Sequence, residues 1–241
     1  MADDILRTAG QSVEPERIRE VGKEWPAWLI LALSWGFSFW AMGKLPARVP
    51  IHWDLAGHEN GWGSPLMAST LFPAIATATY VGILAYDWGR IDFKAARAMS
   101  PSVTRQVRLL VLLLMGVLQV TLLRAVMQGH APSTSIMVLG ISLFLVFLGN
   151  VLPRTEPNAW GGIRIPPTLE NREVWKRTHR FYGKWLVVTG LLGIPACLLP
   201  TTAATLFILP QVLIPMLSAV VYAYWIRHRL DQKPTHQPEP R

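Results

Sequence analysis

Six long runs of apolar residues, separated by short polar segments, constrain the fold of this chain more than any other feature. The runs cover about residues 26–42, 65–88, 107–127, 135–152, 182–199 and 203–226. Each approaches the roughly 20 residues that a helix needs to cross the hydrocarbon core of a bilayer. Because lipid offers backbone amides no hydrogen-bond partners, such runs must be helical. The sequence therefore predicts an all-α integral membrane bundle of six transmembrane helices.

Composition and the distribution of charge support this prediction and give the bundle an orientation. The 241 residues are 51% hydrophobic and 16% charged, whereas about a quarter of the residues are charged in soluble domains. Of the 23 Lys and Arg residues, only Lys44, Arg48 and Arg124 lie in or beside loops one, three and five. Since cytoplasmic loops retain positive charge, both termini and loops two and four are predicted to be cytoplasmic. The basic excess is assigned to topology, and no direct nucleic-acid binding is expected.

The order of the apolar runs predicts two modules flanked by two tails. Residues 1–25 form a polar cytoplasmic tail without the apolar core of a signal peptide, so the first run is predicted to be an uncleaved signal anchor. Residues 26–106 hold the first two runs and residues 107–226 hold the other four. Residues 227–241 are predicted to be a disordered cytoplasmic tail. A single cysteine, Cys197, excludes an intramolecular disulfide.

The first loop, predicted to be extracellular, contains residues that a simple connector does not need. Glycines at positions 57, 61 and 63 favour a compact turn. Such a turn would present Trp53 and Trp62 to a peptide or to lipid headgroups, because an indole combines a large apolar ring with a hydrogen-bond donor. The residues predicted to bind a partner on this side are His52, Trp53, Asp54, Gly57, Gly61 and Trp62.

The same loop also supports a metal hypothesis. His52, Asp54 and His58 offer two nitrogens and an oxygen, a set compatible with zinc. In an extended segment residues 52 and 54 share one face, and the turn at Gly57 would return His58 towards them. A zinc ion with an open coordination position activates water, so a membrane hydrolase is an alternative to a binding protein. No cofactor is expected for the binding protein, and zinc is a possible cofactor for the hydrolase; both hypotheses remain open.

Loop four, residues 153–181, is predicted to contain an interfacial helix that starts at Thr168 and precedes the fifth span. Trp175 and His179 are four residues apart and therefore share a helix face. The fork of the Arg164 guanidinium suits a carboxylate or phosphate, or a tie to the helix ends. A titration of His179 near neutral pH is expected from its residue type. The residues predicted to bind a partner here are Asn150, Asn158, Gly162, Arg164, Pro166, Trp175, Thr178 and His179.

At these two loops the chain resembles the SdpI family of bacterial membrane proteins. The first loop matches an N-terminal module associated with the family, DUF1648, through Leu45-Pro46, Val49-Pro50, His52-Trp53-Asp54, Gly57 and Asn60-Gly61-Trp62-Gly63. The second loop resembles the SdpI signature through Gly149-Asn150, Pro157-Asn158, Gly162-Ile163-Arg164, Pro166, Trp175-Lys176-Arg177-Thr178-His179-Arg180 and Gly183. Together with the helices, the resemblance covers about residues 26–226.

The resemblance implies a multi-pass protein of the bacterial cytoplasmic membrane. Its expected partners are membrane lipid, a secreted peptide toxin of the sporulation-delay type outside and a cytoplasmic transcriptional repressor inside. The expected role is immunity to the toxin, with sensing and signalling as a second part. The chain departs from the family pattern Arg-Thr-Pro-Trp-Thr-Leu at Ile165 and Pro167. If the missing tryptophan contacts a partner in relatives, the partner differs here.

Overall fold

A computed structural model describes residues 22–54, 58–87, 100–158 and 161–232. Gly57, Trp88, most of loop two and most of both predicted tails lie outside these residues. The described chain forms seven α-helices, one 3-10 turn and one two-stranded hairpin. The helices are α1 (Trp25–Met42), α2 (Pro65–Asp87), α3 (Pro101–Gln128), α4 (Thr134–Val151), α5 (Pro166–Glu170), α6 (Arg172–Ala196) and α7 (Thr201–Asp231). The strands are β1 (Val49–Trp53) and β2 (Glu59–Gly63), and the 3-10 turn is Leu152–Arg154.

Five of these helices, α1 to α4 and α7, are long and apolar enough to cross a membrane. Their outward faces carry large exposed apolar side chains, such as Leu33 (64% exposed), Leu209 (66%) and Val221 (68%). A surface of this kind is stable in contact with lipid and not with water. The predicted helical membrane bundle is therefore confirmed. The crossing of the membrane by α6, and with it the six-span topology, remains a prediction.

The structure differs from the prediction for loop four. In place of a separate interfacial helix followed by a span at 182–199, α6 runs unbroken through Gly183. Its N-cap is Asn171, whose side-chain oxygen accepts backbone N–H bonds from Glu173 at 2.9 Å and Val174 at 3.1 Å. Thr168 lies in the preceding short helix α5. The basic residues thus occupy the first turns of the same helix whose second half is apolar.

Helices α4 and α6 pack closely because glycines face the partner backbone. A Cβ atom on Gly190 would lie 2.7 Å from the carbonyl oxygen of Ser142, and one on Gly149 would lie 2.5 Å from the carbonyl oxygen of Gly183. Both distances are shorter than a carbon–oxygen contact allows. Small residues permit this approach, which is the usual source of helix association in lipid. The contact between Gly149 and Gly183 holds the first half of α6 against the end of α4, next to the loop that follows α4.

A proline in α2 creates a polar contact inside the bundle. Pro73 has no N–H group, so the carbonyl of Ser69, four residues earlier, loses its helical partner. The Ser38 hydroxyl of α1 donates to this carbonyl at 2.6 Å. The Gln119 amide of α3 donates to the Ser38 oxygen at 2.7 Å and to the Ser34 carbonyl at 2.9 Å. Three helices are thereby joined where lipid could not satisfy the freed carbonyl.

Helix α3 starts six residues before the predicted span, and its first turns hold a buried ion pair. The guanidinium of Arg108 contacts the carboxylate of Glu24, and their side chains are 3% and 5% exposed. Hydropathy marks the lipid-embedded part of a helix, whereas Ser100 and Pro101 mark its start. Arg108, which the charge count assigns to cytoplasmic loop two, therefore lies within α3. Its charge holds α3 to the start of α1 and does not lie free in solution.

Candidate functional site

The segment between α4 and α6 folds back over the base of α6 through a buried tryptophan and histidine. Trp175 and His179 are both fully buried, and their rings stack with centroids 3.9 Å apart. The Trp175 indole N–H donates to the carbonyl of Thr155 at 3.1 Å. This bond ties α6 to the residue that directly follows the 3-10 turn.

His179 is held as a neutral imidazole. Its Nδ1 lies 2.9 Å from the carbonyl of Trp175, so Nδ1–H donates. Its Nε2 accepts the backbone N–H of Ile163 at 3.1 Å, which requires an unprotonated nitrogen. Burial lowers the pKa of His179 to about 4, against a smaller opposing effect of the Trp175 carbonyl. The expected titration near neutral pH is therefore wrong, because both ring nitrogens are used inside the protein.

Gly162 makes the contact between this loop and His179 possible. Its φ angle is +101°. A residue with a side chain would be strained in this backbone conformation. A Cβ atom there would overlap His179 Nε2. The motif therefore needs glycine at this position for backbone conformation and for space at once.

Asn158 organises the turn that precedes Gly162. Its side-chain oxygen accepts the N–H of Gly161 at 3.0 Å, and its amide donates to the carbonyl of Glu156 at 2.9 Å. The Arg164 Nε donates to the Asn158 carbonyl at 3.1 Å. Asn158 is buried, whereas Arg164 is exposed. Arg164 thus ties the loop together and still presents part of its guanidinium to solvent.

The departures from the family pattern are the N-cap residue of α5, Ile165, and Pro167 in its first turn. Thr168 is fully buried, and its hydroxyl lies 2.6 Å from the carbonyl of Ile163 and 3.2 Å from the N–H of Ile165. Pro166 and Pro167 occupy the first turn, where a missing N–H costs no helical bond. Pro167 is buried, so a tryptophan in its place would have to pack within this loop or displace it.

The eight residues predicted for this side fall into two groups. Asn158, Trp175, Thr178 and His179 are buried, and hydrogen bonds of Trp175 and His179 hold the loop against α6. Asn150, Gly162, Arg164 and Pro166 are exposed, although Asn150 donates to Val146 of its own helix at 2.8 Å. Partner binding at this surface remains a prediction. A partner would make its direct contacts with the exposed residues. Sequence reasoning missed Glu156, which accepts two bonds from Arg172 at 2.7 and 2.8 Å.

At the other end of the bundle, the first loop forms the β1–β2 hairpin. The strands are antiparallel, and Val49 pairs with Gly63. A Cβ atom on Gly61 would lie 2.7 Å from the Cβ of His52, so glycine permits the close approach of the two strands. The inward side chains Val49 and Ile51 pack on α2 and α3. The predicted compact structure is therefore a hairpin in the described residues 49–54 and 58–63, and Gly57 lies outside them.

The two tryptophans of the hairpin have opposite environments. Trp62 is 42% exposed, and the Arg48 guanidinium lies 4.8 Å from its ring centroid. Trp53 packs on the apolar cluster of α2 and α3 instead. Its indole nitrogen is buried, and no described residue accepts its hydrogen bond. Of the predicted pair, only Trp62 is presented on the outer surface of the hairpin.

The three residues of the metal hypothesis are not gathered into one set. Asp54 accepts the backbone N–H of His58 at 2.9 Å, and its other oxygen lies 3.3 Å from His58 Nδ1. The Nδ1 of His52 contacts the side-chain oxygen of Asn60. Over residues 22–54, 58–87, 100–158 and 161–232, no three His, Cys, Asp or Glu side chains are placed to share a metal ion. This arrangement of the described residues gives the zinc hydrolase no support.

Comparison with known proteins finds similarity in two segments of the chain. A family model described as the SdpI/YfhL protein family matches residues 154–223, which include the Trp175–His179 cluster. A second model, for a domain of unknown function named DUF1648, matches residues 29–77, which include the hairpin. The chain is thus similar to the SdpI/YfhL family in one segment and to the DUF1648 domain in another. It is also 28% identical over 168 residues to "Immunity protein SdpI" of Bacillus subtilis (strain 168), and the aligned region covers 68% of this chain and 76% of that protein.

No solved structure matches this chain. In the segment that matches the SdpI/YfhL model, Trp175 and His179 are buried in internal contacts, whereas Arg164, Arg177 and Arg180 are exposed.

Proposed function

We propose that the chain protects a bacterial cell against a secreted antimicrobial peptide toxin, acting from the cytoplasmic membrane with six spans and cytoplasmic termini. The observation that carries the proposal is the similarity to the immunity protein, since the aligned part is 68% of this chain. Two family models match separate segments of the chain, one including the hairpin and the other including the Trp175–His179 cluster. The positive-inside rule puts the hairpin outside, where a secreted peptide arrives.

A toxin challenge tests this proposal directly. The chain is expressed in a sensitive bacterium, which is then exposed to a synthetic sporulation-delay-type peptide. We expect growth at toxin concentrations that kill cells carrying an empty vector. A panel of such peptides against which the chain gives no protection, despite normal membrane insertion, would contradict the proposal.

The exposed part of Arg164 favours a second function, signalling to a cytoplasmic repressor. A guanidinium on a loop fixed by Asn158 and His179 is a preorganised donor for a carboxylate on a partner. Toxin-dependent transcript levels would be compared in cells carrying wild type, Arg164→Ala and, as a control, Arg180→Ala on the exposed face of α6. We expect the response to be lost only in Arg164→Ala. An unchanged response in that variant would refute the signalling role and leave immunity intact.

A further inference from the structure

A deep cleft opens at the hairpin end of the bundle, between its two halves. It has a volume of about 540 Å³. One wall is formed by β1, α2 and α3, which belong to the first half of the chain. The other wall is formed by the loop before α4, the first turn of α4 and the first turns of α7. The cleft is thus bounded by segments from both halves of the sequence.

The interior of the cleft is apolar on both walls. Phe72 of α2, Leu118 of α3 and Ile208 of α7 all line it. Covering an apolar surface of this kind with apolar groups of a ligand lowers the free energy. Clefts of a few hundred Å³ lined mainly by apolar side chains are typical ligand sites.

Polar groups at the mouth distinguish a peptide from a lipid tail. Ser133, Thr134, Ser135, Thr201 and Thr205 border the cleft. The Trp53 indole nitrogen, buried at the same wall, has no acceptor among the described residues. An unsatisfied buried donor is costly and is relieved by a ligand carbonyl. A peptide backbone offers a carbonyl and an N–H group at each residue, whereas a lipid acyl chain offers a single ester carbonyl at its end and no N–H group.

Strand β1 adds a backbone template to these side chains. Residues 51–54 line the cleft, and the described hairpin has only two strands, so β1 has a strand partner on one edge alone. Extended peptides bind such edges through main-chain hydrogen bonds, with their side chains in adjacent pockets. The cleft therefore combines apolar side chains with hydroxyl groups and the extended backbone of strand β1.

We propose that this cleft binds an apolar, extended segment of a secreted peptide. Side chains of the segment contact Phe72, Leu118 and Ile208, and its backbone lies at Trp53 and the hydroxyl groups of the mouth. The inference rests on the proposed immunity function for the identity of the peptide. The existence of the site is testable without any immunity.

Cysteine shielding tests occupancy of the cleft in purified full-length protein. Ser135→Cys lies in the cleft wall and Thr202→Cys is an exposed control outside it, both in a Cys197→Ser background. Labelling by a water-soluble maleimide in detergent micelles is followed with and without the synthetic sporulation-delay-type peptide. At about ten times its Kd, the peptide is expected to slow labelling of Ser135→Cys about tenfold and to leave Thr202→Cys unchanged, since only the free fraction reacts.

Two outcomes of the shielding experiment overturn the inference. Unchanged labelling of Ser135→Cys at saturating peptide shows that the peptide does not enter the cleft. Slowed labelling on addition of phosphatidylglycerol, with no effect of peptide, assigns the cleft to lipid. Either result can be obtained whether or not cells are protected, so failure of the site is distinguishable from failure of the proposed function.

A matched pair of tryptophan variants connects the cleft with protection in cells. Ile208→Trp fills the apolar interior, whereas Leu209→Trp adds the same indole on the exposed side of α7. We expect the toxin concentration tolerated by cells to fall about tenfold or more in Ile208→Trp only, since loss of one buried apolar contact forfeits at least that factor in affinity. Equal protection by both variants, at equal membrane levels, refutes the role of the cleft.

Discussion

At the scale of single residues, the motif around loop four mainly holds this loop against helix α6. Gly162 supplies a backbone angle and a gap, and His179 fills that gap with an imidazole nitrogen. Trp175 stacks on that imidazole and reaches the carbonyl of Thr155. Each of these residues depends on the others, so the motif behaves as one packed unit.

Gly162→Ala is expected to destabilise this unit. The left-handed backbone angle disfavours alanine, and the added methyl overlaps His179. We therefore expect the free energy of unfolding to fall by more than about 1 kcal/mol. Gly161→Ala is the control, because Gly161 has open space around it; we expect a change within about 0.5 kcal/mol. Thermal unfolding in detergent measures both. Equal unfolding temperatures for the two variants would show that the contact with His179 contributes nothing.

The stability of the protein is expected to depend on pH through His179. Its pKa is about 4 when folded and about 6.5 when unfolded. Above about pH 6.5 both states are neutral, and this group adds no pH dependence. Between about pH 6.5 and 4 only the unfolded chain takes up the proton, so stability falls as pH falls, by on the order of 3 kcal/mol in total.

His179→Gln measures this contribution, because glutamine retains a donor and an acceptor and does not titrate. The advantage of the wild type over His179→Gln in unfolding temperature is expected to shrink between about pH 7 and pH 4.5. His130→Gln, at an exposed position, serves as a control and should follow the wild type. A constant difference between wild type and His179→Gln over this range would show that His179 does not remain neutral.

At the scale of elements, prolines and hydroxyls act together across helices. Pro73 frees the carbonyl of Ser69, and Ser38 of a neighbouring helix satisfies it at 2.6 Å. Neither residue has an apparent role when its own helix is considered alone. The pairing explains how a membrane helix can retain a proline without an unsatisfied carbonyl in lipid.

Ser38→Ala is expected to lower stability by about 1 kcal/mol, the upper range of interhelical bonds in membranes. In a Pro73→Ala background the new N–H can reach the Ser69 carbonyl, so the same serine substitution should cost less. Thermal unfolding of the four combinations gives the coupling energy. Strictly additive effects would mean that the Ser38 hydroxyl and the freed carbonyl are independent.

At the scale of the whole molecule, the open question is whether α6 crosses the bilayer. Its first turns are basic, and its second half is apolar and packed on α4 through Gly183 and Gly190. Six crossings put the two termini on one side and separate loop four from the loop before α7. Five crossings would leave those two loops together.

Accessibility from intact cells distinguishes these topologies. Gly161→Cys reports on loop four and Thr202→Cys on the opposite end of α6, both exposed and in a Cys197→Ser background. With six spans, a membrane-impermeant maleimide should label Thr202→Cys in intact cells, whereas Gly161→Cys should react only after permeabilisation. Labelling of both cysteines in intact cells would contradict a crossing by α6.

The amino-acid sequence alone determined the membrane class, five of the spans to within a few residues and the two motif-bearing loops. These features follow from local hydropathy, chain polarity and short motifs, which depend on neighbours along the chain. The sequence misassigned α6, because charge on its first turns resembles a separate surface helix. It also predicted that His179 titrates near neutral pH, because the residue type alone does not reveal whether a side chain is buried.

Only the tertiary structure decided which motif residues are buried, that His52 is apart from Asp54 and His58, and that the two halves enclose a cleft. Those facts arise from contacts between residues far apart in sequence, such as Ser38 with Ser69 and Ile163 with His179. Solvation and hydrogen bonding of a side chain are set by what packs against it. Hydropathy fixes where a helix lies in the membrane, and packing fixes which of its polar groups remain available for a partner.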